Sequence, residues 1–504
     1  MFAGMNIMVG PDGNVYAAGG FQSSIDLGNS QSISGGADGF VAKFDTAGLC
    51  QWKQKIAITA GCGCTNPTNG ATLRGFDSQG NLLISGMYCG CGANFGSGIT
   101  TTDVSNTMYI AKYNPLGQCL WAKTKPSTIN DAIVDITTDA QDNIYISIYN
   151  YAMGVTFCGL TFPNQANYIA KINSNGVSIW SFSTGTSYEI TNMTFYKNRL
   201  YCAGLFAGTS TLGTNTYTAN GSGDGFILAM DTSGAILRST IITGPGIETP
   251  TSMCYASNKI CLLSQASPSV AVGTYTINTG SGMDITFLVS FDTSLNVINA
   301  RNTANDNKGS GASLTADKFG GIYVLVNNSA TTGFGNLLNV PADRHVIKMD
   351  ANLNNFWYKE SVGGIGGGSV APDTLGNIYI IDNFNNSANY GPLSNTATGF
   401  GITLGKIQRT LTPIGGPAGR QNNNMSVYPN PSAGLFNLKL TNAIKNNNSI
   451  KIILYDINGK MLDNIPFTKN DETTLQINLS AYAQGNYIIK AEVDGILYSA
   501  KLER

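Results

Sequence analysis

The chain has 504 residues, 42% hydrophobic and only 12% charged, with 29 Lys and Arg against 30 Asp and Glu. That supplies a large core, and the lack of a basic excess leaves no electrostatic footprint for nucleic acid or an anionic membrane surface. No apolar run reaches the roughly 18 to 20 residues of a membrane-spanning helix, so no transmembrane segment is expected. The opening MFAGMNIMVG has no basic patch, long apolar stretch or cleavage site of an export signal, and the first strand is expected near Asn6. Low charge with 60 glycines and abundant Asn, Thr and Ser suits a β-rich, turn-rich fold.

From that point one unit recurs, a strand, a tight turn and a second strand. Its copies are NIMVGPDGNVYAAGG, RGFDSQGNLLISG, DITTDAQDNIYIS, MTFYKNRLYCAG, MCYASNKICLLS, LTADKFGGIYVLV and VAPDTLGNIYIID. The residue before the Asn-Val-Tyr-like step falls at Gly13, Gly80, Asp142, Asn198, Asn258, Gly320 and Gly376, a period near sixty. After a Gly/Ser/Thr-rich loop of varying length comes a second hairpin, as in DGFVAKFDTAGLCQW, MYIAKYNPLGQCLW and NYIAKINSNGVSIW. Alternating apolar residues on either side of a turn read as two further strands, giving seven units of four strands.

Trp52, Trp121, Trp180 and Trp357 occupy one equivalent position of the second hairpin. A reused large apolar position is expected to pack between neighbouring sheets, in preference to forming a glycan-binding surface. Radial repetition of four-stranded units predicts an all-β, seven-bladed β-propeller over residues 1–412. The pattern GFVAKFD…G…W at Gly39 to Trp52 and DSQGNLLISG at Asp77 to Gly86 resembles the SBBP family of seven-bladed propeller repeats. Arg238 and Asn299 replace the aromatic residue in units four and five, and unit seven is the most divergent, so those blades are expected to pack less regularly.

The period stops at a Gly/Pro/Asn-rich linker, 413–424. Residues 425–504 then show alternating strands parted by Asn-Pro, Asn-Gly, Gln-Gly and Asp-Gly turns, which predicts a small immunoglobulin-like β-sandwich. This segment resembles the type IX secretion C-terminal sorting domain of Bacteroidetes. The resemblance is carried by Tyr428, Pro429, Asn430, Pro431, Gly434, Phe436, Tyr455, Asp456, Asn458, Gly459, Lys460, Leu479, Gly485, Tyr487, Lys501 and Leu502. It implies that the secretion machinery is a partner through residues 425–504, that the domain is usually removed on release or attachment, and that the protein is secreted or held at the cell surface. Such cargo also needs an N-terminal export signal, so the sequence is expected to be truncated at its start.

Export frames the cysteines. Cys62 and Cys64 lie in AGCGCTNPTNG, Cys89 and Cys91 in YCGCGANFG, and the repeat brings both pairs to the same face of blade two. Disulfides between antiparallel segments are expected, with a zinc or copper site as the alternative. Cys254 and Cys261, facing each other across one hairpin, form a further candidate disulfide, whereas Cys50 and Cys119 read as buried small residues.

No catalytic or cofactor-binding residues are expected. His345 is the single histidine and is read as structural, and GGIGGGS (Gly363 to Ser369) lacks the Gly-Lys-Ser/Thr step of a phosphate loop. Turn aspartates leave calcium open as well. Function is therefore expected on loops, with Cys89 to Asn106, Ala266 to Asp284 and Asn383 to Gly399 the most variable. The leading expectation is a non-catalytic binding or adhesion module for an extracellular glycan, surface protein or polymer. A polymer-degrading hydrolase or lyase, and a structural component of the surface layer, are the alternatives.

Overall fold

The marker residues of the seven repeats share one backbone state: Gly13, Gly80, Asp142, Asn198, Asn258, Gly320 and Gly376 all have positive φ, from 60° to 83°. Each occupies the left-handed position of a tight turn, where Gly, Asn and Asp are tolerated, and that requirement writes the period into the sequence. This computed structural model describes the chain except residues 1–5, 62–68, 128–130, 151–153, 164, 186–187, 267–268, 278–284, 305–309, 329–331, 335–336, 341–342, 365–367, 391–392, 408–422, 441–442, 445–449, 457–460 and 494–495. The described chain is all-β and divides into two compact units, Met1–Arg409 and Thr410–Arg504.

In the first unit the repeats become antiparallel meanders. Sheet one runs Asn6–Val9, Val15–Asp26, Ser32–Phe44 and Cys50–Ile58, and sheets two to six follow the same inner, second, third and outer order. Among the described residues the seventh sheet has three strands, Ser369–Pro372, Ile378–Tyr390 and Leu393–Ile407. The inner strands are Asn6–Val9, Gly70–Phe76, Ala132–Thr138, Tyr188–Tyr196, Thr249–Ala256, Ser310–Ala316 and Ser369–Pro372. Each touches the next, and the last touches the first, so the sheets close into a propeller-like ring.

Two sets of contacts hold the ring. Near the axis, the inner strands of sheets two to six carry a bulge at one equivalent place, for instance between Leu73 and Gly75 and between Ile133 and Asp135. A bulge leaves backbone groups out of the ladder, and neighbouring side chains take some of them up. Asn6 pairs with both backbone groups of Leu73, Arg74 donates to the Ile133 and Val134 carbonyls, Asp135 accepts from Met193 N–H, and Ser252 bridges to Leu314. Further out, the indole N–H of Trp52, Trp121 and Trp180 donates to the Pro115, Ser174 and Thr232 carbonyls of the following sheet's turn at 3.0, 3.2 and 3.1 Å. A Cβ at Gly117, beside the first of these carbonyls, would lie 2.6 Å from the Trp52 ring. The expected interblade packing of these three tryptophans is what the contacts show; the side chain of Trp357 lies outside the described residues.

Lysines parallel the tryptophans. Lys43, Lys112 and Lys171 reach the same three carbonyls, and Lys406 of sheet seven reaches the Thr46 carbonyl of sheet one at 3.0 Å. Apolar clusters also span neighbouring sheets, and one unites Phe21 and Phe40 of sheet one with Ala371, Tyr379 and Ile381 of sheet seven. In sheets four and five, where the tryptophan is lost, Arg199 and Tyr201 donate to the Thr293 carbonyl and Asn299 to the Asn352 carbonyl.

The long loops between second and third strands are more ordered than expected. Several hold a short hairpin that pairs with the outer strand of the preceding sheet: Ala57 with Asn94, Ile242 with Val272, and Thr303 with Phe334. Residues inside the expected binding loops Cys89 to Asn106, Ala266 to Asp284 and Asn383 to Gly399 thus form strands covering sheet edges, which would otherwise present unpaired backbone.

The second unit joins two groups of strands across a parallel pairing of Asn423 and Asn424 with Tyr498 and Ser499; its other pairings are antiparallel. Phe436, Leu438, Leu454, Ile477 and Leu502 lie in its own buried core.

Candidate functional site

A four-stranded meander places its first and third turns at one end and its loops at the other. The turn end of the ring is uniform in most sheets. Asp77, Asp139, Asp317 and Asp373 each accept the N–H groups two and four residues on, which closes the turn. The second oxygen of Asp77, Asp139 and Asp317 meets Lys112, Lys171 and Lys348 of the same sheet at 2.6, 3.3 and 3.8 Å. Of the turn aspartates that left calcium open, Asp77 and Asp139 are therefore engaged by backbone amides and lysines, and Asp373 by backbone amides and the Asn377 side chain. Burial alone would raise the Asp77 carboxyl, but Lys112, Asn81 and the Asn81 N–H outweigh it and hold it below the usual carboxylate range.

Sheets four and five break this pattern. Their first turns are the two-residue turns Lys197-Asn198 and Ser257-Asn258, with positive φ at both positions, as a tight hairpin requires. Without the aspartate, the side chains there are arranged differently. Tyr196 and Tyr255 stack with ring centroids 3.6 Å apart. Both hydroxyls donate to the Asn258 side-chain oxygen, at 2.7 and 3.2 Å, and Asn258 N–H donates to the Tyr255 oxygen. The Tyr255 hydroxyl is pushed up to about 12, chiefly by burial.

Beside this pair lies a pocket of about 450 Å³ between sheets five and six. Tyr255, Ser257 and Asn258 line one side, and Asp317, Lys318, Phe319 and Gly320 the other. Phe319 is 46% exposed. A Cβ at Gly320, which has φ +83°, would lie 1.9 Å from the Ser257 hydroxyl, so glycine lets the two turns close up. None of these residues was expected as a site. The available signal was the departure of KN and SN from the Asp-containing turns of the other repeats.

At the loop end, Cys89 and Cys91 lie on the strand Leu82–Cys91. Cys62 and Cys64 lie outside the described residues. The segment just before them runs beside the strand, with Thr59 N–H donating to the Gly92 carbonyl and Cys91 N–H to the Thr59 carbonyl. Cys254 and Cys261 correct the expectation of a bond. They stand opposite each other in register, yet both are free thiols. The hydrogen bond to Cys261, then burial, pushes the Cys254 thiol well up. His345 is buried, its ring edge-on to Tyr358 at 5.4 Å.

In the second unit the Asn-Pro motif clamps the C-terminal strand Ile496–Glu503. Asn430 donates to the Lys501 carbonyl at 3.0 Å and accepts from Glu503 N–H at 2.8 Å. The Gly434 carbonyl accepts from Leu479 N–H, Gly485 exchanges both backbone bonds with Arg504, and Tyr487 donates to the Ala483 carbonyl. Phe436 and Leu502 are buried, whereas Tyr428, Pro429, Pro431 and Lys501 are exposed. Lys490 sits over the Tyr455 ring at 4.9 Å. Asp456 pairs with Tyr487 in the sheet, and Asn458, Gly459 and Lys460 lie outside the described residues.

Residues 426–502 match the family described as the secretion system C-terminal sorting domain. That match supports export of the chain. No curated protein matches the chain. Among solved structures, it is similar to the exo-inulinase of Aspergillus awamori at 9% identity, over 85% of this chain and 90% of that one, with a TM-score of 0.25. The leech intramolecular trans-sialidase is 7% identical, over 99% and 91%, with a TM-score of 0.22. The intramolecular trans-sialidase of Ruminococcus gnavus is 9% identical, over 100% and 94%, with a TM-score of 0.15. At these scores the likeness carries no argument about activity. Among the described residues no helix is long and apolar enough to cross a membrane.

Proposed function

We propose that this protein is a non-catalytic binding module, a seven-bladed propeller of the SBBP type carried to the cell exterior by the type IX secretion machinery. It engages a surface or environmental ligand through the turn-end pocket of sheets five and six. The observation that carries the binding site is the break in the repeat: where the other turns spend an aspartate on closing themselves, sheets four and five put a stacked tyrosine pair beside a half-exposed phenylalanine. Polar groups with few charges and an aromatic wall suit recognition of a ligand. The reading also pairs Cys62 and Cys64 with Cys89 and Cys91 as staples at the loop end.

Full-length protein incubated with intact cells and insoluble polysaccharides tests the site. Native protein is expected to be retained on at least one of these, and Phe319→Ala to be washed off. Retention that ignores Phe319→Ala, or turnover of the polymer by the native chain, would overturn the reading. For export, deletion of residues 425–504 from the full gene is expected to leave the protein in the periplasm; undiminished release would refute the route.

A further inference from the structure

We infer that the pocket between sheets five and six takes a ring of a neutral saccharide, with an aromatic ring against the sugar's C–H face. The inference rests on the binding role proposed above and assigns its ligand class.

The charges of the pocket are already committed. Asp317 accepts Phe319 N–H and Gly321 N–H on one oxygen and the Tyr323 hydroxyl on the other, which also faces Lys348. The Lys318 ammonium lies over the Phe319 ring at 5.1 Å. Among the described residues no arginine lines the pocket, so none there supplies the fork that recognises carboxylate or phosphate. An ionic ligand would have to displace one of these arrangements.

What the walls offer is two-sided in the same way as a pyranose. Such a ring has an apolar C–H face and a rim of hydroxyls that both donate and accept. On the protein side, Tyr255 is backed by Tyr196 and held by Asn258 on its hydroxyl, so its ring is fixed before any ligand arrives. A rigid aromatic wall loses little freedom on binding. Around it stand the Ser257 hydroxyl and the Asn258 amide, whose oxygen is taken by both tyrosines and whose NH₂ is left to donate elsewhere. Phe319 supplies a second apolar surface across the pocket. A volume of about 450 Å³ falls within the roughly 300 to 1,000 Å³ of small-ligand sites.

Calorimetric titration of the full-length protein with cello-, malto- and chito-oligosaccharides, and with an oligogalacturonate as the acidic probe, tests this. At least one neutral oligomer is expected to bind. Phe319→Ala should weaken it roughly tenfold, and Phe319→Trp should restore it. Phe319 is exposed, and an unchanged melting temperature of its variants would show that they fold. Binding of the acidic oligomer alone, with loss in Lys318→Gln, would overturn the inference. So would neutral binding indifferent to Phe319→Ala. If no oligosaccharide binds while retention on cells is still lost in Phe319→Ala, the saccharide class fails and the binding role stands. If retention itself ignores Phe319→Ala, the binding role fails.

Discussion

Asp77 shows how one residue serves both a turn and the ring. Its carboxylate closes its own turn, pairs with Lys112, and so sets that lysine where it can reach the Ser174 carbonyl of the next sheet. The pair is almost wholly buried, and removing one partner of such a pair costs about 3 to 5 kcal/mol because the other is left unpaired. Asp77→Asn is therefore expected to lower stability by about 3 kcal/mol at neutral pH, measured by urea unfolding. Because the folded carboxyl lies below its unfolded value of about 3.9, its stabilisation is full above that pH and lost as the pH falls through the folded value. Asp12 and Asp139 are shifted the same way. Asp135 is shifted the other way: burial raises it against the pull of Arg74, so its contribution weakens as pH rises through its folded value. The native midpoint should fall below about pH 4, and Asp77→Asn should flatten part of that fall; a variant with the native pH profile would show that the pair contributes nothing.

At the scale of elements, the loop hairpins change the reading of the sequence most. They were legible as Gly/Ser/Thr-rich insertions and not as strands, because short strands of three or four residues give too few positions for alternation to register. Their pairing partner also lies on the preceding repeat, so no local signal could announce it. The hairpin Ala93–Gly96 with Ile99–Thr100 covers the outer strand Cys50–Ile58, and Phe95 is buried in the cluster beneath it. Replacing residues 93–100 with a Gly/Ser linker should uncover that edge and drive self-association, read by light scattering. A replacement that stays monomeric would mean the edge needs no cover. The turns were more legible: a left-handed position admits few residue types, and seven such positions sixty apart survive divergence of everything around them. The pocket was not, since it arises where two turns from adjacent repeats meet.

The molecule as a whole has separate cores, one set in residues 1–409 and another around Phe436, Leu438 and Leu502. Calorimetry should resolve two transitions. Phe436→Ala, at a fully buried position, should lower one by about 3 to 5 kcal/mol of unit stability and leave the other in place. A single transition, or a shift in both, would show that the units unfold together. The sorting domain was readable from its motif because Asn430 and Gly434 meet specific backbone groups, which constrains residue type at each place. The Cys254 and Cys261 pairing failed because hairpin position reports only that two residues stand opposite in register, which does not make a bond between them.

The hairpins have one more effect, on how such a chain can grow or shrink. Like a roof tile, each repeat with such a hairpin lies partly over the one before it: Val272 of the fifth seals the fourth, and Phe334 of the sixth seals the fifth. A duplicated repeat would arrive with the cover for its predecessor already attached, and a lost one would take with it the cover it gave while its successor's hairpin met the edge left behind. Where such a hairpin is present, the heritable module is therefore a sheet together with its neighbour's seal.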